Sequence, residues 1–268
     1  MRSHHLVLLL AAACSLAALS TQRAHAEKPS AKAGAKPWCG ADVTELSDHV
    51  CFADGGATDD GRHTLVVYLH GALAQTPGFQ YMQQSAMALY ARRHHFTVVI
   101  PTAPSDGNGY VWPTSQTAQK EQEPVILAGI EKARADVAKR AGHGFDETFV
   151  VGFSSGAYFG SSLAVRSLLD VDGTIVLAGG SSWVKGDQAT AKRAPVFVGV
   201  SAADPQTAAH SRSFGGALAA MGWPSKVEER NAGHMVDGTF MAHGIGWLRE
   251  RKKKSHGPPA LQTVSNQN

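Results

Sequence analysis

Gly152-Phe153-Ser154-Ser155-Gly156 sets a serine between two glycines, after the apolar run Thr148-Phe149-Val150-Val151 and before a small-residue helical stretch from Ser155 to Leu169. A serine hydroxyl becomes a useful nucleophile only where a base takes its proton and a carboxylate orients that base. At a strand-to-helix turn, Gly-x-Ser-x-Gly supplies the geometry for this. The turn forces the serine into a strained backbone conformation, and flanking glycines let strand and helix pass closely. The hydroxyl is then held above the sheet, near the positive end of the helix that starts at Ser155. The pentapeptide alone is a weak signal, because glycine is frequent here at 28 residues. Its position and its downstream partners carry the weight.

On a sheet with such an elbow, the acid and then the histidine follow the serine in the chain. Of the acidic residues beyond Ser154, only Asp204 stands just past a strongly apolar strand, in Val200-Ser201-Ala202-Ala203-Asp204-Pro205. Groups that face a ligand sit at that end of an open parallel sheet. A helix N-cap ahead of Pro205 is the other use such an aspartate could have. Among the later histidines, His210 and His243 fall in helical stretches and His256 in the tail. His234 lies in the loop Asn231-Ala232-Gly233-His234-Met235, between the last strand and the last helix, and is the expected base. Asp237 is the second choice for the acid, too near His234 in sequence to be the usual orienting group.

An acyl-transfer intermediate also needs preorganised N–H donors for its oxyanion. The backbone N–H of Ser155, next after the nucleophile, is one. The loop His70-Gly71-Ala72-Leu73, after the first buried strand, should supply the other from Ala72 or Leu73, with the preference on Leu73.

The elements that must position these groups are legible as apolar runs alternating with helical spacing. Thr64–Leu69, Phe96–Ile100, Thr148–Val151, Thr174–Leu177 and Val196–Val200 read as strands buried on both faces, and Lys226–Glu229 as a polar edge strand. Helical patterns cover about Phe79–Arg93, Glu123–Arg140 and Gly238–Arg251. This alternation implies βαβ crossovers and one α/β domain with a mostly parallel sheet. Dinucleotide and phosphate-loop signatures are absent from the sequence.

A chain of 268 residues with 43% apolar and 18% charged residues suits one globular core. The net charge of +3 sits largely in Arg249–Lys254, which reads as a solvated helix end, so no nucleic acid is expected as partner. The first 26 residues carry Arg2, an apolar stretch from Leu6 to Leu19 and the small-x-small site Ala24-His25-Ala26, the three parts of a secretory signal peptide. A lipoprotein anchor at Cys14 is the minor alternative. No later segment is long and apolar enough for a transmembrane span. The expected location is therefore outside the cell or in a periplasm. Residues 27–60 read as a linker followed by a turn-rich segment with room for a hairpin, in which Cys39 and Cys51 form a disulfide. Residues 61–250 are the catalytic domain, and 251–268 a basic disordered tail.

His70-Gly71, the pentapeptide at 152–156, Asp204 and Gly233-His234 occur in the order and spacing of the α/β-hydrolase superfamily, which the chain resembles over about residues 61–250. Ile100-Pro101-Thr102-Ala103-Pro104 followed by Trp112 is similar to compact carboxylesterases, acyl-protein thioesterases, dienelactone hydrolases and secreted polyester depolymerases. Ser155 departs from them, since several place a larger residue after the nucleophile. The resemblance implies an α/β-hydrolase fold with helices on both faces of the sheet. It implies a secreted serine esterase acting through an acyl-enzyme intermediate on a small or polymeric ester, with no metal or organic cofactor. A serine peptidase of the same fold, or a non-catalytic binding protein retaining it, are the alternatives. Lids of the superfamily enter where Ala178–Ala194 here leaves room only for a loop, so no large lid is expected. An open loop, Ser105–Gln122, carries Tyr110 and Trp112, expected to form an exposed aromatic substrate pocket.

Overall fold

The computed structural model describes residues 37–181 and 192–256. The signal segment 1–26 with Cys14, the linker up to residue 36, most of the Ala178–Ala194 segment and the tail beyond residue 256 lie outside the described residues.

In chain order the elements are β1 (Thr44–Ser47), β2 (Val50–Asp54), β3 (Thr64–Leu69), β4 (Leu73–Ala74), α1 (Tyr81–His94), β5 (Thr97–Ile100), β6 (Gly109–Tyr110) and α2 (Gln116–Ala141). They continue as β7 (Glu147–Phe153), α3 (Ser155–Val165), β8 (Gly173–Leu177), β9 (Val196–Ser201), α4 (Ala208–Ala220), β10 (Ser225–Arg230) and α5 (Gly238–His256). Eight strands form one sheet in the order β1-β2-β5-β3-β7-β8-β9-β10. The β1–β2 hairpin and the β2–β5 pair are antiparallel, and every pair from β5 to β10 is parallel.

The continuous apolar strands serve two cores at once. In β3, Val66 and Tyr68 face the core built with Met87, Ala88 and Ala91 of α1 and Phe240, Ile245 and Leu248 of α5. Leu65, Val67 and Leu69 face the opposite core, with Ile126, Ile130 and Val137 of α2 and Phe159 and Leu163 of α3. Period-two alternation thus buries both faces, which is why no polar residue interrupts the run.

Three elements differ from the sequence reading. The helix expected from Glu123 starts at Gln116, with the Ser115 side chain accepting from the Ala118 N–H and Pro124 inside the helix. Pro124 reads as a first-turn residue, which hid the preceding turns. Those turns and β6 replace much of the open loop expected over Ser105–Gln122. The last helix continues past Arg251 to His256, so residues 251–256 are helix rather than tail. Cations near a helix C-terminus are favourable, and Lys252 reaches Asp172 at 3.0 Å.

Candidate active site

Ser154 sits at the end of β7 with φ 51° and ψ −118°, a left-handed conformation for a residue with a side chain. The glycines on either side are required by distance. A Cβ on Gly152 would lie 2.4 Å from the Gly156 carbonyl oxygen, and one on Gly156 would lie 2.0 Å from the Leu69 carbonyl oxygen. Strand, elbow and helix therefore pass too closely for any side chain, and the backbone strain at Ser154 follows from that approach.

The loops after β9 and β10 are laced together. Ala202 N–H donates to the Arg230 carbonyl at 2.8 Å and Ala203 N–H to the Ala232 carbonyl at 3.0 Å. This brings Asp204, 2% exposed, to His234 across 30 residues of sequence. His234 Nδ1–H donates to Asp204 Oδ2 at 2.6 Å, and the Ser154 hydroxyl donates to His234 Nε2 at 3.1 Å. The His234 ring also lies over Phe153, with centroids 5.0 Å apart. Asp204 accepts further bonds from the Thr207 hydroxyl and, at 3.1 Å, from the Gln206 N–H. Burial pushes its carboxyl up, but the bonds from Thr207, His234 and Gln206 outweigh it and hold the group below the usual carboxylate range.

Asp237 has another occupation. Its Oδ1 accepts from the Thr239 and Phe240 N–H groups at 2.9 and 3.0 Å, capping α5. His210 lies on α4, where its Nδ1 meets the Tyr158 hydroxyl, and His243 pairs with Glu228 at 2.8 Å.

The 70–73 loop is fixed from both sides. The His70 ring is buried, with Nδ1–H donating to the Gly71 carbonyl at 2.6 Å and Nε2 accepting from the Ala103 N–H at 3.0 Å. Burial lowers its pKa from 6.5 to about 4, so the ring is neutral in this role. Gly71 N–H donates to Gln83 Oε1 at 2.9 Å. Val111 N–H and the Gly109 carbonyl bond to residues 104 and 106, so the alternation of a strand turns the N–H and C=O of Tyr110 toward Leu73. Leu73 N–H is accordingly turned into the β4–β6 ladder. Ala72 is exposed. Ser155 N–H stands in the first turn of α3, where a helix leaves its N–H groups without intrahelical partners.

Trp112 is not on an exposed wall. It is 1% exposed, stacks on Phe159 at 5.7 Å and tilts against His70 at 5.3 Å, within the core under α2 and α3. Burying its large apolar surface there outweighs leaving it in a loop. Tyr110 is half-buried, edge-on to Trp38. The sequence reading missed Gln83, Thr207 and the clamp role of His70. Thr207, three residues after Asp204, has the spacing of a local side-chain bond and could have been read. Gln83 gave no signal.

Cys39 and Cys51 are joined, with Cα atoms 5.7 Å apart. Among the described residues no helix is long and apolar enough to cross a membrane.

No protein-family model matches the sequence, and no curated protein matches it either. Solved structures do. The Bacillus cereus carboxylesterase is 15% identical, with a TM-score of 0.56 over 75% of this chain and 93% of that one. The esterase PE8 is 22% identical, with a TM-score of 0.52 over 75% and 96% of the two chains. A carboxylesterase from Mesorhizobium loti is 19% identical, with a TM-score of 0.50 over 75% and 93%. At these identities the likeness is one of fold. With two antiparallel strands leading into a parallel sheet of helix-flanked strands, and a strained serine elbow at the end of β7, the chain has the α/β-hydrolase fold.

Proposed function

We propose that the protein is a serine hydrolase that cleaves carboxylic esters through an acyl-enzyme intermediate. The observation that carries this is the unbroken line from Asp204 Oδ2 through His234 to Ser154 Oγ, with links of 2.6 and 3.1 Å. Ser154 Oγ attacks the ester carbonyl while His234 Nε2 takes its proton. The tetrahedral oxyanion is met by the N–H groups of Ser155 and Ala72. Collapse expels the alcohol, which leaves with the proton from His234. Water then repeats the sequence on the acyl-enzyme, and the acid is released. Asp204 stays ionised throughout, holding the tautomer of His234 and balancing the imidazolium as it forms. Ala72 displaces Leu73 as the preferred second donor, because the Leu73 N–H faces Tyr110. The carboxylesterase names of the structural neighbours support the ester as the bond cleaved.

We read the protein as exported. The disulfide supports this, since such bonds persist in oxidising compartments.

The test is hydrolysis of chromogenic esters from acetate to decanoate by the mature protein and its Ser154→Ala variant. The proposal expects a loss in the variant of about a thousandfold or more. Equal turnover by both proteins would remove Ser154 as nucleophile. Turnover of peptides but not esters would transfer the same machinery to a peptidase.

A further inference from the structure

The second oxyanion donor belongs to a loop, and a loop holds an N–H in place only if something stiffens it. His70 and Gln83 fix the residues before Ala72. The residues after it belong to β4, a ladder of two residue pairs whose other strand is Tyr110 and Gly109. So short a ladder is not stable alone. Tyr110 packs against Trp38 in a T-shaped contact with ring centroids 4.8 Å apart. Trp38 also stacks on His49 at 4.7 Å and 23°. Trp38 lines one small cavity together with Leu73, Tyr68 and His70.

Trp38 is itself held. Its carbonyl accepts from the side-chain amides of Gln80 at 2.7 Å and Gln84 at 3.2 Å, both at the start of α1. The next residue, Cys39, is bonded to Cys51 of β2, which pairs with Ile100 in the main sheet. Gly40 N–H donates to Gln84 Oε1 at 2.8 Å. The covalent link thus fixes Trp38 to the sheet, and Trp38 fixes Tyr110 against β4.

We propose that Trp38, anchored by the Cys39–Cys51 disulfide, is a positioning residue for the oxyanion loop, acting through Tyr110 and β4 on the N–H of Ala72. This rests on the reading of Ala72 as a donor. It makes the N-terminal segment part of the catalytic apparatus rather than an appended staple. Reduction of the disulfide would then lower turnover in protein that remains folded.

The test compares full-length wild-type protein with Trp38→Ala, Trp38→Phe and Ser154→Ala. For Trp38→Ala, kcat falls about tenfold or more, toward the 10²–10³ range that losing one oxyanion donor costs. KM changes little, because ground-state binding does not use the donor. Affinity for an alkyl boronic acid, whose tetrahedral adduct places an oxygen in the oxyanion site, falls in step with kcat. Trp38→Phe, which keeps a ring against Tyr110, restores most of both. Hydrogen exchange over residues 71–74 quickens in Trp38→Ala. A folded Trp38→Ala protein with wild-type kcat and boronate affinity overturns the proposal, and so does unchanged exchange over 71–74. Should Trp38→Ala not fold, Tyr110→Leu removes the same ring contact and carries the same expectations. If wild-type protein neither turns over esters nor binds boronate, the hydrolase reading fails. The exchange measurement still decides whether Trp38 holds the loop.

Discussion

Asp204 is subject to opposing influences: burial favours its neutral form, and three hydrogen bonds favour the carboxylate. The bonds win, so the orienting acid remains charged into mild acid. Asp204→Asn keeps the shape and loses the tautomer control, and kcat should fall by about 10⁴ with KM little changed. Steady-state kinetics on one chromogenic ester would check it. His70 gives a second expectation. Its folded pKa of about 4 lies below the ordinary 6.5. Between those values the unfolded chain binds more protons, so stability falls as pH drops through that window, by up to about 1.4 kcal/mol per pH unit from this group. His70→Gln should flatten the slope in urea titrations between pH 7 and pH 4. The meeting of Ser154, Asp204 and His234 was legible because each follows a strand at the same end of the sheet. Ala72 against Leu73 was not. That choice depends on a two-residue ladder with no period to read, and on Gln83, whose side chain reaches the loop from a helix.

At the scale of elements, the elbow depends on contact rather than on chain flexibility. Gly156→Ala would put a methyl carbon 2.0 Å from the Leu69 carbonyl oxygen, so that variant should lose at least the 1–3 kcal/mol typical of overpacking, or fail to fold. The far end of the sheet is held by a buried carboxylate. Glu147 has no exposed side-chain surface, and it meets Arg249 at 2.9 Å, Arg62 at 3.0 Å and the Thr64 hydroxyl at 2.6 Å. Arg249 also donates to the carbonyls of His94 and His95, tying α5 to the end of α1. Arg249→Ala should destabilise by about 3 kcal/mol, since it leaves a buried charge underpaired. Urea denaturation with unchanged kcat per folded molecule would fit this account. The sequence showed Arg249 only as one cation in a basic run. Its bonds to Glu147 of β7, Thr64 of β3 and the end of α1 come from distant elements, which no local pattern reveals. Trp112 was misjudged for a related reason: an aromatic in a loop reads the same whether it faces solvent or folds back under a helix.

At the scale of the described residues, the mostly parallel sheet and its flanking helices followed from alternating apolar runs. The hairpin β1–β2 extends that sheet at one edge, and the disulfide joins it to the segment that carries Trp38. Replacing both cysteines with alanine should cost about 3 kcal/mol for so short a loop, read as a shift in the urea midpoint. The proposed mechanism requires that Ser154 become acylated. Mixing the protein with an excess of a slowly deacylating ester, quenching in acid and weighing the intact chain by mass spectrometry tests it most directly. The expected result is a transient gain of one acyl group, located on the peptide that carries Ser154 and absent from Ser154→Ala. Ester turnover with no adduct, or an adduct that persists in Ser154→Ala, would contradict it.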